Sequence, residues 1–325
     1  MGEPADGGSH TPAGDAGDAA GATPDTSRAV NAVNAVSTAY RGTTGDGSGR
    51  GRVVLAATPI GNMGDATERL IGLLRTADVV AAEDTRRLHR LLHGLGAGVS
   101  GRVISYHEHN EAERTSELLD LVRDGATVLL VTDAGMPAVS DPGYRLVRAA
   151  VEEDLDLTVV PGASAVLAAL AVSGLPTDRF CFEGFLPRKA GLRAGRLAEL
   201  VSERRTMVFF EAPHRLEAML RSLQQEFGSD RQAAVARELT KVHEQVVRGS
   251  LLDLLQWAQG GEVRGELAVV VAGAPDALPS RPEDHVPEVT ALLEGGMRLK
   301  DAVAAVAAEW RVSKRELYAA VIASR

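Results

Sequence analysis

An acid, a glycine and prolines, Asp133-Ala134-Gly135-Met136-Pro137 with Ser140-Asp141-Pro142-Gly143 behind them, close the apolar run Val128-Leu129-Leu130-Val131-Thr132. The run is continuous and rich in β-branched residues, the pattern of a strand buried on both faces of a parallel sheet. The glycine and prolines force an irregular turn at the strand's carboxyl end. In open α/β sheets ligands bind at that end. Four other predicted strands finish in the same way. Val53–Ala57 runs into Pro59 and Gly61, Val79–Ala82 into Glu83 and Asp84, Val103–Tyr106 into His109 and Asn110, and Leu157–Val160 into Pro161 and Ser164. One polar strand end is compatible with an ordinary strand-to-helix turn. Five on one sheet edge make a cleft. Small residues beside backbone N–H groups and a carboxylate suit a ligand with an amino-acid head group and an adenosine.

The elements that position these residues are legible from periodicity. Helices are predicted near 66–75, 86–95, 111–124 and 143–153, each between two of the strands, so residues 52–165 read as a parallel, doubly wound domain. Residues 166–274 read as a second α/β domain with a mixed sheet, its strands at Phe180–Glu183, Thr206–Phe210, Ala233–Ala236 and Glu266–Ala272. Within it, Arg188, Lys189, Arg193 and Arg196 fall inside nine residues broken by Gly191 and Gly195. That spacing predicts a basic loop able to close as a lid. The Pro- and acid-rich residues from Ala274 onward predict a linker over 275–296. Residues 297–325 read as a helix-turn-helix-like module, with Ser313 and Glu316 as a capping box. Residues 1–51 carry few large apolar side chains and predict a disordered tail, with a short helix near Ala29–Tyr40.

Composition narrows the function. A net charge of −9 argues against holding nucleic acid by bulk charge, though it leaves room for a local basic patch. Cys181 is the sole cysteine, so no internal disulfide or cysteine metal cluster is expected. No apolar run is long enough to span a membrane and no secretory signal is evident, so a cytoplasmic protein is expected. The first strand does not run into GxGxxG or a Walker loop, which disfavours dinucleotide and NTP binding. There is no HExxH. His107 and His109 share one side of a strand without a third ligand, so no metal is expected. Gly162-Ala163-Ser164 lacks the second glycine of a nucleophile elbow.

Seven motifs in one order carry a resemblance. They are Thr58-Pro59-Ile60-Gly61-Asn62, Glu83-Asp84-Thr85-Arg86, His109-Asn110, the Asp133 to Gly143 stretch, Pro161-Gly162, Glu211-x-x-His214-Arg215 and Arg237-Glu238-Leu239-Thr240-Lys241. Together they resemble the ribosomal RNA small subunit methyltransferase I family of the tetrapyrrole methylase superfamily, from about Val53 to Gly273. Met136 departs from the threonine expected before Pro137. The resemblance implies two α/β domains with the cofactor cleft between them. It also implies a homodimer, S-adenosyl-L-methionine as cofactor, and 2′-O-methylation of a cytidine ribose in the decoding region of 16S rRNA. By the same resemblance Pro59, Ile60 and Gly61 wall the cofactor, and Asp133, Gly135 and Met136 hold its polar end. Ser164, Ala165, Phe210, Glu211 and Leu239 complete the pocket.

The chemistry would be attack of a ribose hydroxyl on a sulfonium methyl, with alignment supplying most of the rate. Asp84, Glu108 and His109 are the candidate bases, and Asp84 and His109 are favoured. Against that, Asp84 is placed to pair with Arg86 or Arg87, and His109-Asn110 is placed to cap the helix beginning at Glu111. Candidate RNA contacts are Arg86, Arg87, Arg188, Lys189, Arg193, Arg196, His214, Arg215 and Lys241. Aromatics are only 4% of the chain, so a folded ribosomal particle read by shape fits better than a stacked single strand. Two other readings compete: a C-methyltransferase of corrin or sirohaem precursors, and a non-enzymatic small-subunit assembly factor.

Overall fold

The protein is described by a computed structural model over residues 51–275, 281–310 and 312–324. The expected disordered tail, with its short helix, lies outside these residues except for Gly51. Strands β1 (Arg52–Ala56), β2 (Val79–Ala82), β3 (Arg102–Ser105), β4 (Thr127–Val131) and β5 (Asp156–Val160) form one sheet. All its pairings are parallel, in the order β3-β2-β4-β1-β5. Central β4 buries Val128, Leu129, Leu130 and Val131 almost completely. Each such side chain contributes roughly 1.5–3 kcal/mol. Helices α1 (Glu68–Thr76) and α2 (Thr85–Leu95) cover one face through Leu70, Leu74, Leu88 and Leu92. Helices α3 (Glu111–Arg123) and α4 (Tyr144–Glu152) cover the other through Leu118, Val122 and Leu146. The helices after β1 and β4 therefore leave toward opposite faces, although these strands are neighbours. The gap beyond their carboxyl ends is the topological switch point of the sheet.

Helix α5 (Ala165–Ser173) leads into the second sheet, built from β6 (Phe180–Phe185), β7 (Thr206–Glu211), β8 (Gln232–Arg237), β9 (Gln245–Ser250) and β10 (Leu267–Val271). Its order is β6-β7-β10-β8-β9. Only β6 and β7 run parallel, which makes the sheet mixed. Helices α6 (Ala190–Leu200), α7 (Leu216–Phe227) and α8 (Leu251–Gln259) pack on one face through Leu197, Leu223 and Leu254. On the other face Val166, Ala169 and Leu170 of α5 meet Val208, Ala236, Ala268 and Val270. Ile60, from the loop after β1, is part of that same cluster. The two sheets thus share apolar packing at one point.

Three local expectations are corrected. The basic lid loop is not a loop: Ala190–Leu200 is helical, and Gly191 and Gly195 lie inside it. Buried Leu197 and Leu200 anchor the helix, and that packing outweighs about 1 kcal/mol of helix penalty per glycine. Strand β9 escaped notice because it is a half-exposed edge strand without a continuous apolar run. The linker is shorter than expected. A 3-10 turn at Pro282–His285 and helix α9 (Val286–Glu294) occupy part of it, with Pro282 and Pro287 in first turns where no N–H donor is required. Helix α9 joins α10 (Leu299–Glu309) and α11 (Lys314–Ala323) around Val289, Val303, Val306, Leu317 and Val321. The C-terminal module is therefore a three-helix unit with its own core. Ser313 caps α11 by accepting from Glu316 N, one half of the expected capping box.

Candidate functional site

A cleft of ≈ 450 Å³ opens at the switch point. One wall is Ile60, Glu83, Asp133, Gly135, Met136 and Asp141, and the opposite wall includes Phe210, Glu211 and Leu239. The loops after β1 and β4 are tied together by paired backbone bonds. Thr58 N donates to Gly135 O at 2.9 Å, and Gly135 N to Thr58 O at 3.1 Å. Thr58 Oγ1 also donates to Thr132 O at 3.1 Å. The β4–α4 loop is tightly folded, with Ala138 and Ser140 in the left-handed region at φ 67° and 64°. Non-glycine residues hold that conformation at a cost that surrounding contacts must offset. Ala138 N donates to Pro142 O at 3.1 Å, and Gly143 lies so close to β4 that an added Cβ would sit 2.8 Å from Leu130 Cδ2. Ser164 caps α5 by accepting from Leu167 N, which brings the start of that helix to the cleft.

The first-sheet wall is acidic. Glu83 Oε2 accepts from Asp133 N at 3.1 Å. Asp133 Oδ2 pairs with Arg87 Nε at 3.3 Å. Asp141 makes no hydrogen bond or ion pair among the described residues. Burial raises the proton affinity of all three. For Asp141 the like charges of Glu83 and Asp133 add to burial, and its pKa is pushed up to about 7. Across the cleft, Glu211 is only 3% exposed. Its Oε1 accepts from Ala212 N at 2.9 Å and meets Arg215 Nε at 3.2 Å. Its Oε2 is buried without a partner. Burial raises this pKa as well, and Arg215 opposes the rise.

The walls are joined beside the cleft. Asn62 N donates to Thr240 Oγ1 at 3.1 Å, with Thr240 itself at φ 65°. At Gly61 an added Cβ would lie 2.4 Å from Lys241 Cγ and 3.0 Å from Leu239 O. Glycine is required there by close approach.

A family model for Tetrapyrrole (Corrin/Porphyrin) Methylases matches residues 52–255, which takes in the whole first sheet and most of the second. A ribosomal RNA small subunit methyltransferase I from Mycobacterium tuberculosis (strain CDC 1551 / Oshkosh) is 52% identical over 276 residues, 85% of this chain and 96% of the relative. The chain belongs to this methyltransferase family, a branch of the tetrapyrrole methylases. Members from Synechocystis sp. (strain ATCC 27184 / PCC 6803 / Kazusa) and Escherichia coli O157:H7 are 44% and 38% identical. They align over 82% and 83% of this chain and 96% and 94% of their own. Among solved structures, the cobalamin biosynthetic enzyme cobalt precorrin-4 methyltransferase superposes with a TM-score of 0.52 at 21% identity, covering 71% of this chain and 98% of that one. Diphthine synthase gives 0.51 at 17%, covering 68% and 89%. These two show the shared fold.

Within the tetrapyrrole methylase frame, the sequence motifs fall unequally. Ile60, Asp133, Gly135, Met136, Ser164, Ala165, Phe210, Glu211 and Leu239 all line the cleft. Pro59 is buried and Gly61 lies under the Leu239–Lys241 loop, neither on the lining. Of the favoured bases, Asp84 is misplaced. It caps α2, accepting from Arg86 N at 2.8 Å and from Arg86 Nη2 at 3.0 Å. The side-chain bond from Arg86 is the main cause of its pKa falling to about 2. His109 is exposed at the turn before α3 and does not line the cleft. Asn110 beside it is spent on the turn, accepting from His107 N and donating to Ser105 O.

The basic residues also divide. Arg86 pairs with Asp84, Arg87 with Asp133, Arg196 with Glu183 and Glu199, Arg215 with Glu211, and Lys241 with Glu238 and Glu266. Arg193 donates to Ser222 Oγ at 3.0 Å. Arg188 and Lys189 are exposed at the start of α6, and His214 lies on the 3-10 turn after β7. Sequence reasoning placed Glu83 at the cleft edge without giving it a role, and it missed Asp141 as a cleft carboxylate. Glu83 was legible as a strand-end acid beside one already suited to capping. For Asp141 the sequence carries only its place in the motif.

Proposed function

We propose that this protein uses S-adenosyl-L-methionine to methylate the 2′-hydroxyl of a cytidine ribose in the decoding region of 16S rRNA within the small ribosomal subunit. Membership of the ribosomal RNA small subunit methyltransferase I family supports the RNA substrate. The observation that carries the cofactor reading is the cleft at the switch point, with a small-residue floor and an acidic wall. The residues present fit the cofactor on two counts. The carboxylates of Glu83 and Asp133 outnumber Arg87 and so complement a cation. The orphaned Glu211 Oε2 needs a hydrogen-bonding partner. Bound there, the cofactor would supply a sulfonium methyl with an excellent leaving group. The chain's own contribution is to hold both reactants in line, worth about 7–11 kcal/mol when alignment is good. Asp133, Gly135 and Met136 would hold the polar end, Ile60, Phe210 and Leu239 would enclose the apolar part, and Ser164 and Ala165 would present the first amides of α5. Arg188, Lys189 and His214 are basic candidates that no carboxylate claims among the described residues, and they would meet RNA phosphates.

The deciding experiment offers labelled S-adenosyl-L-methionine with unmodified 30S subunits, naked 16S rRNA or uroporphyrinogen. Label on a ribose 2′-oxygen of the 30S rRNA is expected. Label on the tetrapyrrole would move the substrate, and 30S binding without label would make the protein an assembly factor.

A further inference from the structure

Three carboxylates share the first-sheet wall of the cleft, and two are engaged. Glu83, at the end of β2, accepts from Asp133 N. Asp133, at the end of β4, is neutralised by Arg87 of α2. From the opposite wall come Glu211, paired with Arg215, and Glu266, paired with Lys241. Asp141 alone among these acids lines the cleft with no donor of its own. Its position is nonetheless fixed by the backbone. Left-handed Ala138 and Ser140 precede it, the bond from Ala138 N to Pro142 O closes the loop around it, and Gly143 is pressed against Leu130. A half-buried carboxylate that the fold positions so tightly and leaves unpaired has its acceptor oxygens available for a ligand.

We propose that Asp141 accepts the proton of the ribose 2′-hydroxyl during methyl transfer, an inference that rests on the methyltransferase reading above. The O–H bond breaks toward the Asp141 carboxylate and its electron pair stays on the ribose oxygen. That oxygen bonds the methyl carbon supplied by S-adenosyl-L-methionine, and the carbon–sulfur pair departs with sulfur as a neutral thioether. The proton then leaves Asp141 for solvent. Burial and the facing charges of Glu83 and Asp133 keep Asp141 basic enough for this at neutral pH, while Arg87 is taken up by Asp133. Asp84 lacks that basicity, and Glu211 is ion-paired with Arg215 through Oε1 while its free Oε2 is buried.

The test compares wild type with Asp141→Asn and Asp141→Glu, using unmodified 30S subunits in single turnover. Removal of a general base costs about 10²- to 10⁴-fold. Asp141→Asn should lose at least the lower figure in the single-turnover rate at saturating cofactor and also the acid limb of the pH–rate profile, beyond any change in cofactor affinity. Asp141→Glu should recover part of the rate. A second readout needs no activity: without cofactor, wild type should lose more stability than Asp141→Asn as pH rises from about 4 to about 7. A variant that keeps the wild-type rate and acid limb overturns the proposal, as does a loss confined to cofactor affinity. A wild type that labels no ribose in 30S subunits removes the underlying reading, and the proposal with it.

Discussion

Asp84 and Asp133 show how surroundings decide what a carboxylate can do. Asp84 precedes a helix and an arginine, so its oxygens are taken by Arg86 and its proton affinity falls. Asp133 stands in the cleft, where burial raises its proton affinity and Arg87 limits the rise. Glu83 and Asp141 are raised in the same sense. A cationic cofactor requires Glu83 and Asp133 ionised, so binding should release protons, and affinity should climb with pH until both are ionised. Calorimetry in buffers of different ionisation enthalpy would show the release, and an affinity flat from acid to neutral pH would contradict it. Asp133→Ala should weaken cofactor binding by roughly tenfold or more, the size of a lost charge-assisted contact, with the fold retained. The motif residues at the strand ends were legible because a parallel sheet puts its ligands there. Which acid turns into the cleft was not, because that depends on the left-handed backbone at Ala138 and Ser140.

At the scale of elements, the contact between the loop after β1 and the loop after β8 carries a stability prediction. Gly61→Ala would drive a methyl into Lys241 and the Leu239 carbonyl. Overpacking of this kind costs about 1–3 kcal/mol. Thermal denaturation should register it, together with weaker cofactor binding, since Ile60 and Leu239 flank the cleft. Unchanged melting and binding would mean that the walls are not coupled there. The inner strands β1, β2 and β4 of the first sheet were readable because burial on both faces leaves continuous apolar runs. Strand β9, the start of helix α6 and helix α9 were not, because edge position, glycines and prolines obscure periodicity that tertiary packing later supplies. Helix α6 still bears on RNA. Replacing Arg188 and Lys189 together with alanine should reduce the salt slope of 30S binding by about 1.4–1.8, the loss of two phosphate contacts. An unchanged slope would remove the start of α6 from the interface.

For the whole molecule, the distribution of cores sets what can be removed. The C-terminal three-helix unit has its own apolar cluster, whereas Ile60 binds the two sheets into shared packing. Truncation after Ala274 should therefore leave cofactor affinity and the main unfolding transition in place, and a calorimetric trace that loses cooperativity would refute this. No helix among the described residues is long and apolar enough to cross a membrane. The strand order also has a consequence in time. On the ribosome β1 emerges first, yet it pairs only with β4 and β5, beginning at Arg52 with Thr127 and Asp156. At about 5–20 residues per second, an apolar strand made of Val53, Val54 and Leu55 waits on the order of 4–20 s for its neighbours. Its unpaired edges during that interval are open to other chains, so the strand that the finished sheet encloses between β4 and β5 is the segment through which a nascent chain of this protein is most open to aggregation.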